Sequence, residues 1–226
     1  EDQVHFPFAA TEELDRNVAD VVNDIAGIPE YERLFQNAFP EEPVAVTAVT
    51  FARALASFER TLLSNDGPYD AYAAGDPGAL SQSLLHGMNL FATEGCADCH
   101  RPPLFSSERF EDRGVPPIPG VDDAGRFEVT GDEADRNHFK VPTLRNAHET
   151  GPFFHTGAVA ALSDAVEQEA NFSIAHDGAP PISGAGLADL TAFISKGLFD
   201  TQRSPTRPEE VPSGLTVPID GFNIRR

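Results

Sequence analysis

The sequence is short of several residue types that often carry chemistry. Its 226 residues include no tryptophan, one methionine and two cysteines. Two cysteines allow one disulfide at most, which excludes a disulfide-rich fold. Nowhere do about 18 apolar residues follow one another, the length that a helix needs to cross a bilayer. We therefore predict a chain that has no membrane span and is long enough to bury a substantial core.

Positive charge is also scarce. Lys140 and Lys196 are the only lysines, and 36 acidic residues outweigh 16 basic ones, which gives a formal net charge of -20. Such a surface repels phosphate groups, and this argues against nucleic acid and against an anionic membrane surface as partners. The acidity would suit a basic partner protein, or it would simply keep the surface solvated. Composition alone leaves both interpretations open.

Both cysteines stand in one motif, Cys96-Ala97-Asp98-Cys99-His100. Two thiols at this spacing can add across the two vinyl groups of a haem, while the adjacent histidine ligates the iron. The alternatives are a disulfide, a thioredoxin-like redox pair and half of a zinc site. A redox pair would need a βαβ context, and zinc would need a second Cys or His pair. We predict one covalent haem c on Cys96 and Cys99, with His100 as the proximal iron ligand.

Hydrophobic periodicity predicts an all-α fold. Apolar residues recur at three- and four-residue steps, most clearly in residues 46–63. Thr11, followed by two glutamates, predicts the capped start of another helix. The predicted helices cover residues 11–28, 30–38, 46–63, 81–93, 162–170 and 186–198.

The other stretches lack this periodicity. Residues 101–143 are rich in glycine and proline, which predicts a long ordered loop around the haem. Within it, only residues 127–130 suggest a strand. Residues 201–226 contain four prolines and predict an extended arm.

Several motifs, taken in their order along the chain, resemble those of the bacterial dihaem cytochrome c peroxidases and their relatives of the MauG type. The most specific part is residues 139–157, which follow the C-x-x-C-H motif at the place where the family has them. The matching stretches cover most of the sequence and comprise residues 54–62, 87–91, 96–100, 123–126, 139–146, 151–157 and 211–215.

The family carries two haems in two cytochrome c-like domains. The resemblance implies that residues 1–45 link the two domains and contribute to the first-haem pocket. Residues 46–200 would then form the second cytochrome c-like haem domain, and residues 201–226 the arm. The chain lacks the first C-x-x-C-H motif, so a second haem is expected from a first domain that is a separate chain or a cleaved segment. The opening residues are no signal peptide, and we expect the start to be processed, cleaved or truncated.

Gln3 and Glu13 match, by their ten-residue offset, the Gln and Glu that line the distal pocket of the first haem in this family. A carboxylate placed there can move a proton between the two oxygens of peroxide, and an amide can hold the peroxide in line. The resemblance therefore implies catalytic roles for both residues. An ordinary alternative for Glu13 is an acidic residue in the first turn of a helix, where it favours the helix dipole.

The sixth ligand of the second haem is where the sequence departs from the family. The position fourteen residues after the histidine of the Phe-His-x-Gly segment is Met in the peroxidases and Tyr in the MauG-type enzymes. Counting from His155, that position is Glu169. Met88, the only methionine, lies before the haem motif and is expected in the core. Glu169 is thus the candidate ligand, unless it faces solvent or the alignment slips to Glu167 or Gln168.

Three further roles follow from the resemblance. Arg145 matches a family arginine that pairs with a haem propionate, although it could instead form a surface ion pair. The backbone carbonyls of Thr150 and Pro152 match ligands of a calcium ion between the two haem domains, so this chain would hold half of that site. His155 could donate a hydrogen bond at the haem edge, or it could be a core histidine.

The resemblance implies a peroxidase-type haem oxidoreductase that is periplasmic or otherwise exported and that uses hydrogen peroxide at the first haem. The haem on His100 would relay electrons or share oxidising equivalents. The redox partner would be a small cytochrome, a cupredoxin or a protein substrate, and a homodimer is compatible with the resemblance. Two other functions stay open: a monohaem electron-transfer cytochrome, and a non-catalytic haem subunit.

Overall fold

A computed structural model of the chain describes residues 1–11, 13–115, 118, 120–121, 123–200 and 208–217, and most of the regular structure is helical, as predicted. The chain divides into two units, which are Glu1–Leu63 with Arg203–Arg226, and Ser64–Gln202. The boundary predicted from the sequence lay between residues 45 and 46 instead. The helix predicted at residues 46–63, which was expected in the haem domain, belongs to the first unit. Most of the predicted arm, residues 201–207 and 218–226, lies outside the described residues.

The first unit contains a 3-10 turn at Asp2–Val4 and four helices, which are α1 (His5–Ala9), α2 (Val18–Ala26), α3 (Pro29–Ala38) and α4 (Ala48–Glu59). A small core holds them together. Its buried side chains are Val4, Val22, Val46, Phe51 and Ala52, and the ring of Phe8 packs edge-on against that of Phe51 at 5.2 Å.

Helix α2 begins later than the sequence predicted, because its cap is Asn17 and not Thr11. The Asn17 side chain accepts a hydrogen bond from the Ala19 backbone N–H at 2.8 Å, as helix-capping residues do. The chain before it turns instead, since the N–H groups of Glu13 and Asp15 both donate to the carbonyl of Ala10. The predicted helix at 11–28 is therefore wrong at residue 11 and at residues 13–17, and residue 12 lies outside the described residues.

The second unit contains α5 (Pro68–Ala73), α6 (Gln82–Thr93), α7 (Cys96–Cys99), α8 (Phe127–Thr130), α9 (Leu162–His176) and α10 (Gly184–Ala192), which continues as a π-helical turn, Phe193–Gly197. Strands β1 (Phe110–Glu111) and β2 (Phe139–Lys140) pair antiparallel, with Phe110 opposite Lys140. Helix α9 extends six residues beyond its predicted end.

The strand expected at residues 127–130 is wrong, because these residues form the single turn α8. Gly131, in the left-handed conformation with φ +68, ends the turn by donating to the carbonyl of Phe127. Val129 and Thr130 have the β-branched side chains that favour strands. Val129, however, is 89% exposed. A β-branched residue gains little from a strand that has nothing to pack against.

An aromatic cluster forms the core of the second unit. Phe91, Phe105 and Phe193 are buried, and together with Tyr69 they meet edge to face. Leu190, Ile194 and Leu198 complete the cluster from α10 and the turn that follows it. Such edge contacts add about 0.5–1.5 kcal/mol per pair to the burial itself. No helix among the described residues is long and apolar enough to cross a membrane.

Helices α6 and α10 cross so closely that Gly87 leaves no room for a side chain. A Cβ built on Gly87 would lie 2.0 Å from the carbonyl oxygen of Asp189 and 2.9 Å from the Cβ of Phe193. The crossing therefore requires glycine. Because α6 leads directly to α7, it also sets where the cysteines stand.

We predict that Gly87→Ala destabilises the second unit, because the backbone of α10 must move away from the new methyl group. The expected loss is about 1–3 kcal/mol, the usual cost of overpacking. Thermal unfolding followed by circular dichroism measures it. Gly184→Ala is the matched control, since it lies in the same helix pair with no atom within 4 Å of its Cβ. Equal melting temperatures for the two variants would contradict the prediction.

Candidate haem site

A single helical turn presents the two thiols. Gly95 adopts φ +84, a conformation that favours glycine, and it lets the chain turn sharply from α6 into α7. Cys96 and Cys99 are three residues apart on α7 and so stand on the same face. The two cysteines are free thiols.

His100 follows with its ring fixed by the backbone. Its Nδ1 lies 3.0 Å from the carbonyl oxygen of Phe105. A carbonyl can only accept, so Nδ1 carries the proton and Nε2 keeps its lone pair. Burial lowers the pKa of His100, which favours the neutral ring. A neutral imidazole with a free Nε2 is the form that ligates a metal.

The thiols and the imidazole line one cavity of about 1030 Å³. That volume lies at the upper end of the range for cofactor sites. Burial raises the pKa of Cys96 to about 11 and also raises that of Cys99, so both behave as apolar wall rather than as reactive thiolates. Oε2 of Glu94, on the same wall, is buried and has no hydrogen-bond partner among the described residues. The volume, the thiol pair and the Nε2 lone pair of His100 fit a haem c.

The alternatives considered for the motif gain no support from the structure. The thiols are not joined in a disulfide, and α6 and α7 are not part of a βαβ unit. Within the described residues, no group of three or more His, Cys, Asp or Glu side chains is placed to hold a metal ion. A zinc site at Cys96 and Cys99 would need such a group.

Glu169 lies on α9 and lines the same cavity as Cys96 and His100. Burial raises the pKa of Glu169, and the guanidinium of Arg113, 2.9 Å away, counteracts this. Of the neighbours to which an alignment slip would move the ligand, Glu167 is exposed, and neither it nor Gln168 is part of the lining. The structure therefore places the fourteenth residue after His155, and not these neighbours, at the cavity.

Met88 packs against the aromatic core and is not among the residues that line the cavity. This agrees with the core position expected for it. Arg113 is the residue that the sequence analysis missed. It stands in an aperiodic loop, where no spacing or motif distinguishes one arginine from another.

Arg145 does not line the cavity. Its two Nη atoms donate to the two carboxylate oxygens of Asp70 at 2.7 and 2.8 Å, and its Nε donates to the carbonyl of Pro103 at 2.7 Å. Its side chain is 7% exposed, so the alternative of a surface ion pair is wrong. The guanidinium of Arg145 thus donates to Asp70 and to the loop behind His100, and its pairing with a propionate stays a prediction.

The other predicted residues divide between the two units. His155 lines the cavity and stacks on Phe139, with ring centroids 3.6 Å apart. Thr150 and Pro152 also belong to the cavity wall. Gln3 and Glu13 lie in the first unit, and both are exposed.

The position of Glu13 bears on the ordinary alternative for this residue. It follows α1 in a turn, and the next helix begins only at Val18. Glu13 is therefore not in the first turn of a helix, and an interaction with a helix dipole does not account for it.

Comparison with known proteins identifies relatives. Residues 1–78 match the family model described as di-haem cytochrome c peroxidase. The cytochrome c551 peroxidase of Nitrosomonas europaea is 42% identical over 63% of this chain and 43% of its own. The methylamine utilization protein MauG of Methylorubrum extorquens is 34% identical over 86% of this chain and 56% of its own. The chain spans about half the length of the curated relatives it matches.

Solved structures show the same fold. A MauG-like protein associated with microbial copper homeostasis superposes with a TM-score of 0.73 at 24% identity, over 88% of this chain and 68% of that one. The diheme peroxidase BthA from Burkholderia thailandensis gives 0.65 at 20% identity, over 95% and 66%. Both matches confirm the helix-rich fold that the sequence predicted.

We predict that Asp70→Asn destabilises the second unit, because the buried guanidinium of Arg145 then lacks its counter-charge. The loss should be on the order of 3 kcal/mol at neutral pH. Burial alone would raise the pKa of Asp70, but hydrogen bonds from Arg145 and Gly67 outweigh it and hold that pKa below its usual range.

The stabilisation from Asp70 should therefore be complete above the unfolded-state pKa of about 3.9 and should disappear as the pH falls through the lower folded-state value. Urea unfolding of both proteins at several pH values measures the difference. Asp24→Asn, at the exposed ion pair with Arg16 in the first unit, is the control and should change stability little. A difference that grows in acid would contradict the assignment.

Proposed function

Because the chain belongs to the family of di-haem cytochrome c peroxidases, we propose that it is the second haem domain of a two-haem peroxidase, with a segment that completes the pocket of the first haem. One observation carries the proposal. Cys96, Cys99 and His100, which the motif assigns to haem attachment, meet at one cavity of about 1030 Å³ in a chain of this family.

Different residues of the second unit would attach the haem, ligate its iron and orient the ligand. Cys96 and Cys99 would form the two thioether bonds, and Nε2 of His100 would ligate the iron. The backbone carbonyl of Phe105 fixes the direction of the His100 ring by accepting a hydrogen bond from Nδ1–H. When bound, the haem would supply one-electron redox chemistry. The buried aromatic cluster excludes water from the side of the site that it covers.

Residues 1–15 would serve the first haem. Gln3 and Glu13 are exposed, and two large apolar side chains stand beside them in the sequence, Phe6 at 72% and Leu14 at 54% exposure. Single exposed apolar residues are common on protein surfaces, so the proposal of an interaction surface here rests on the resemblance to the two-haem family. We propose that the first haem domain covers them. When the first haem domain packs against these residues, Glu13 would be shielded from bulk water and would face the peroxide-binding site of the first haem.

The chemistry of Glu13 then follows from its carboxylate. It can accept the proton from one oxygen of hydrogen peroxide and return it to the other oxygen, which departs as water. The amide of Gln3 can donate a hydrogen bond that holds the peroxide in line. Neither step needs a residue of the second unit, whose role would be to pass electrons or to share oxidising equivalents.

The remaining roles are proposed on the resemblance. The loss of the Met ligand favours a MauG-like enzyme that oxidises a partner protein over one that draws electrons from a small cytochrome or cupredoxin. The complete protein would be exported to the periplasm. Thr150 and Pro152, both on the cavity wall, would contribute carbonyl oxygens to a calcium site shared with the first domain.

The peroxidase proposal predicts that Glu13→Gln in the complete two-haem protein lowers peroxide turnover roughly 10²–10⁴-fold, because the proton carrier is lost. The haem content and the spectrum of the haem on His100 should not change. Stopped-flow measurement of peroxide consumption tests this. Glu41→Gln, at an exposed carboxylate of the same unit, is the control. Full turnover in Glu13→Gln would contradict the role proposed for Glu13, whereas the absence of peroxide turnover in the native two-haem protein would favour the electron-transfer alternative.

We also propose Glu169 as the sixth ligand of the iron on His100. The native ferric protein should then show no methionine-to-iron charge-transfer band in the near infrared. Glu169→Met should raise the reduction potential by roughly 100 mV, because a neutral thioether favours ferrous iron more than an anionic oxygen does. Glu169→Gln should change the spin-state balance.

Spectroscopy and redox titration of the variants decide the assignment. Glu167→Gln, at an exposed glutamate of the same helix, should change neither property. Ferric spectra that stay unchanged in both Glu169 variants would mean that this carboxylate does not touch the iron.

A further inference from the structure

We propose that Arg113 is the positioning residue for Glu169, holding one carboxylate oxygen so that the other is presented to the bound iron. This inference rests on the proposed role of Glu169 as the sixth ligand. Arg113 and Glu169 both line the cavity that contains Cys96 and His100. The Arg113 Nε donates to Oε2 of Glu169 at 2.9 Å. The iron would then take Oε1.

The guanidinium is anchored at three points along one helix. Besides the bond to Glu169, its Nη2 donates to Oγ of Ser173 at 2.9 Å and its Nη1 to Oδ2 of Asp177 at 3.0 Å. These three partners are four residues apart and so follow one face of α9 into its C-cap. Three hydrogen bonds fix the orientation of the planar Arg113 guanidinium. The N–H group that donates to Glu169 therefore has a fixed position.

Packing supports the same orientation. The guanidinium carbon of Arg113 lies 4.2 Å from the centre of the Phe172 ring. The next residue, Gly114, has φ +61, and a Cβ there would lie 2.7 Å from that ring. The loop therefore sits against α9 too closely for any other residue at position 114. Arg113 joins this loop to the helix at the cavity.

The charges explain why such an anchor matters. A free carboxylate on a half-buried side chain can adopt several rotamers, and only some of them reach a metal. Partners that hydrogen-bond a ligating carboxylate fix its direction, and losing them typically costs 10–100-fold in metal affinity or activity. Arg113 also withdraws charge from Glu169, which weakens it as an anionic donor. The position of the Glu169 carboxylate and its strength as a ligand would thus both depend on the guanidinium of Arg113.

A double-mutant cycle in the haem-loaded protein separates this role from a simple charge effect. We expect Arg113→Gln to shift the ferric absorption and electron paramagnetic resonance spectra towards those of Glu169→Gln. In the Glu169→Gln background, Arg113→Gln should add no spectral change. Asp177→Asn removes the charge of the outermost anchor and so weakens it. It should cause a smaller shift in the same direction, a test that remains if Arg113→Gln folds poorly.

Arg126→Gln is the matched control. Arg126 also pairs with a carboxylate, Asp135 at 3.0 Å, and lies 4.3 Å over the Phe110 ring, but it does not line the cavity. It should leave the spectra unchanged. A spectral change in Glu169→Gln without one in Arg113→Gln or Asp177→Asn would overturn the positioning role and leave Glu169 as a ligand. An effect of Arg113→Gln that is equal in both backgrounds would also overturn it. Spectra of Glu169→Gln that equal those of the native protein would contradict the assignment of Glu169 as the iron ligand. The positioning role of Arg113 would then also be wrong.

Discussion

The hydrogen bond from His100 to the Phe105 carbonyl is the contact on which the haem site depends. Phe105 is 1% exposed, and its φ of +52 is an unusual conformation for a phenylalanine. Such a backbone costs about 1–3 kcal/mol and persists only where its surroundings hold it. Here the surroundings are the aromatic core around the ring and the Arg145–Asp70 pair behind the loop. The direction of the His100 ring is thus fixed by core packing.

The two sides of the cavity are built on different physical principles. On the His100 side the backbone carbonyl of Phe105 sets the direction of the His100 ring. Because Phe105 belongs to the buried core, a change in that direction requires a change in the core. On the Glu169 side the geometry comes from ion pairs whose partners reach the surface, since the Asp177 side chain is 53% exposed. Exposed ion pairs contribute little to stability. The side chains on that side of the cavity could therefore change during evolution without endangering the fold.

Some of this could be read from the sequence, because local patterns determine it. The C-x-x-C-H turn and helix α4 follow from spacing and periodicity alone. The cap at Asn17 and the turn at residues 127–130 are also local contacts, but the hydrophobic pattern did not distinguish them from the alternatives. The partners of Arg145 could not be predicted, since Pro103 and Asp70 lie 42 and 75 residues away along the chain. Arg113 is the clearest case. Its three partners lie more than fifty residues further along the chain, and no local pattern shows that a loop arginine will meet them.

The carboxylate at position 169, where the peroxidases have Met and the MauG-type enzymes have Tyr, affects which other residues the cavity wall requires. A carboxylate at the cavity of a haem is costly to bury alone, because burial disfavours its charged form. A Met or Tyr at the same position would carry no charge when buried and would need no guanidinium beside it. If position 169 acquired a carboxylate, the cavity also needed a cation, and the loop that follows the haem motif supplies one. Arg113 and Glu169 are therefore best understood as one unit, in which the guanidinium offsets part of the cost of burying the carboxylate at the cavity wall.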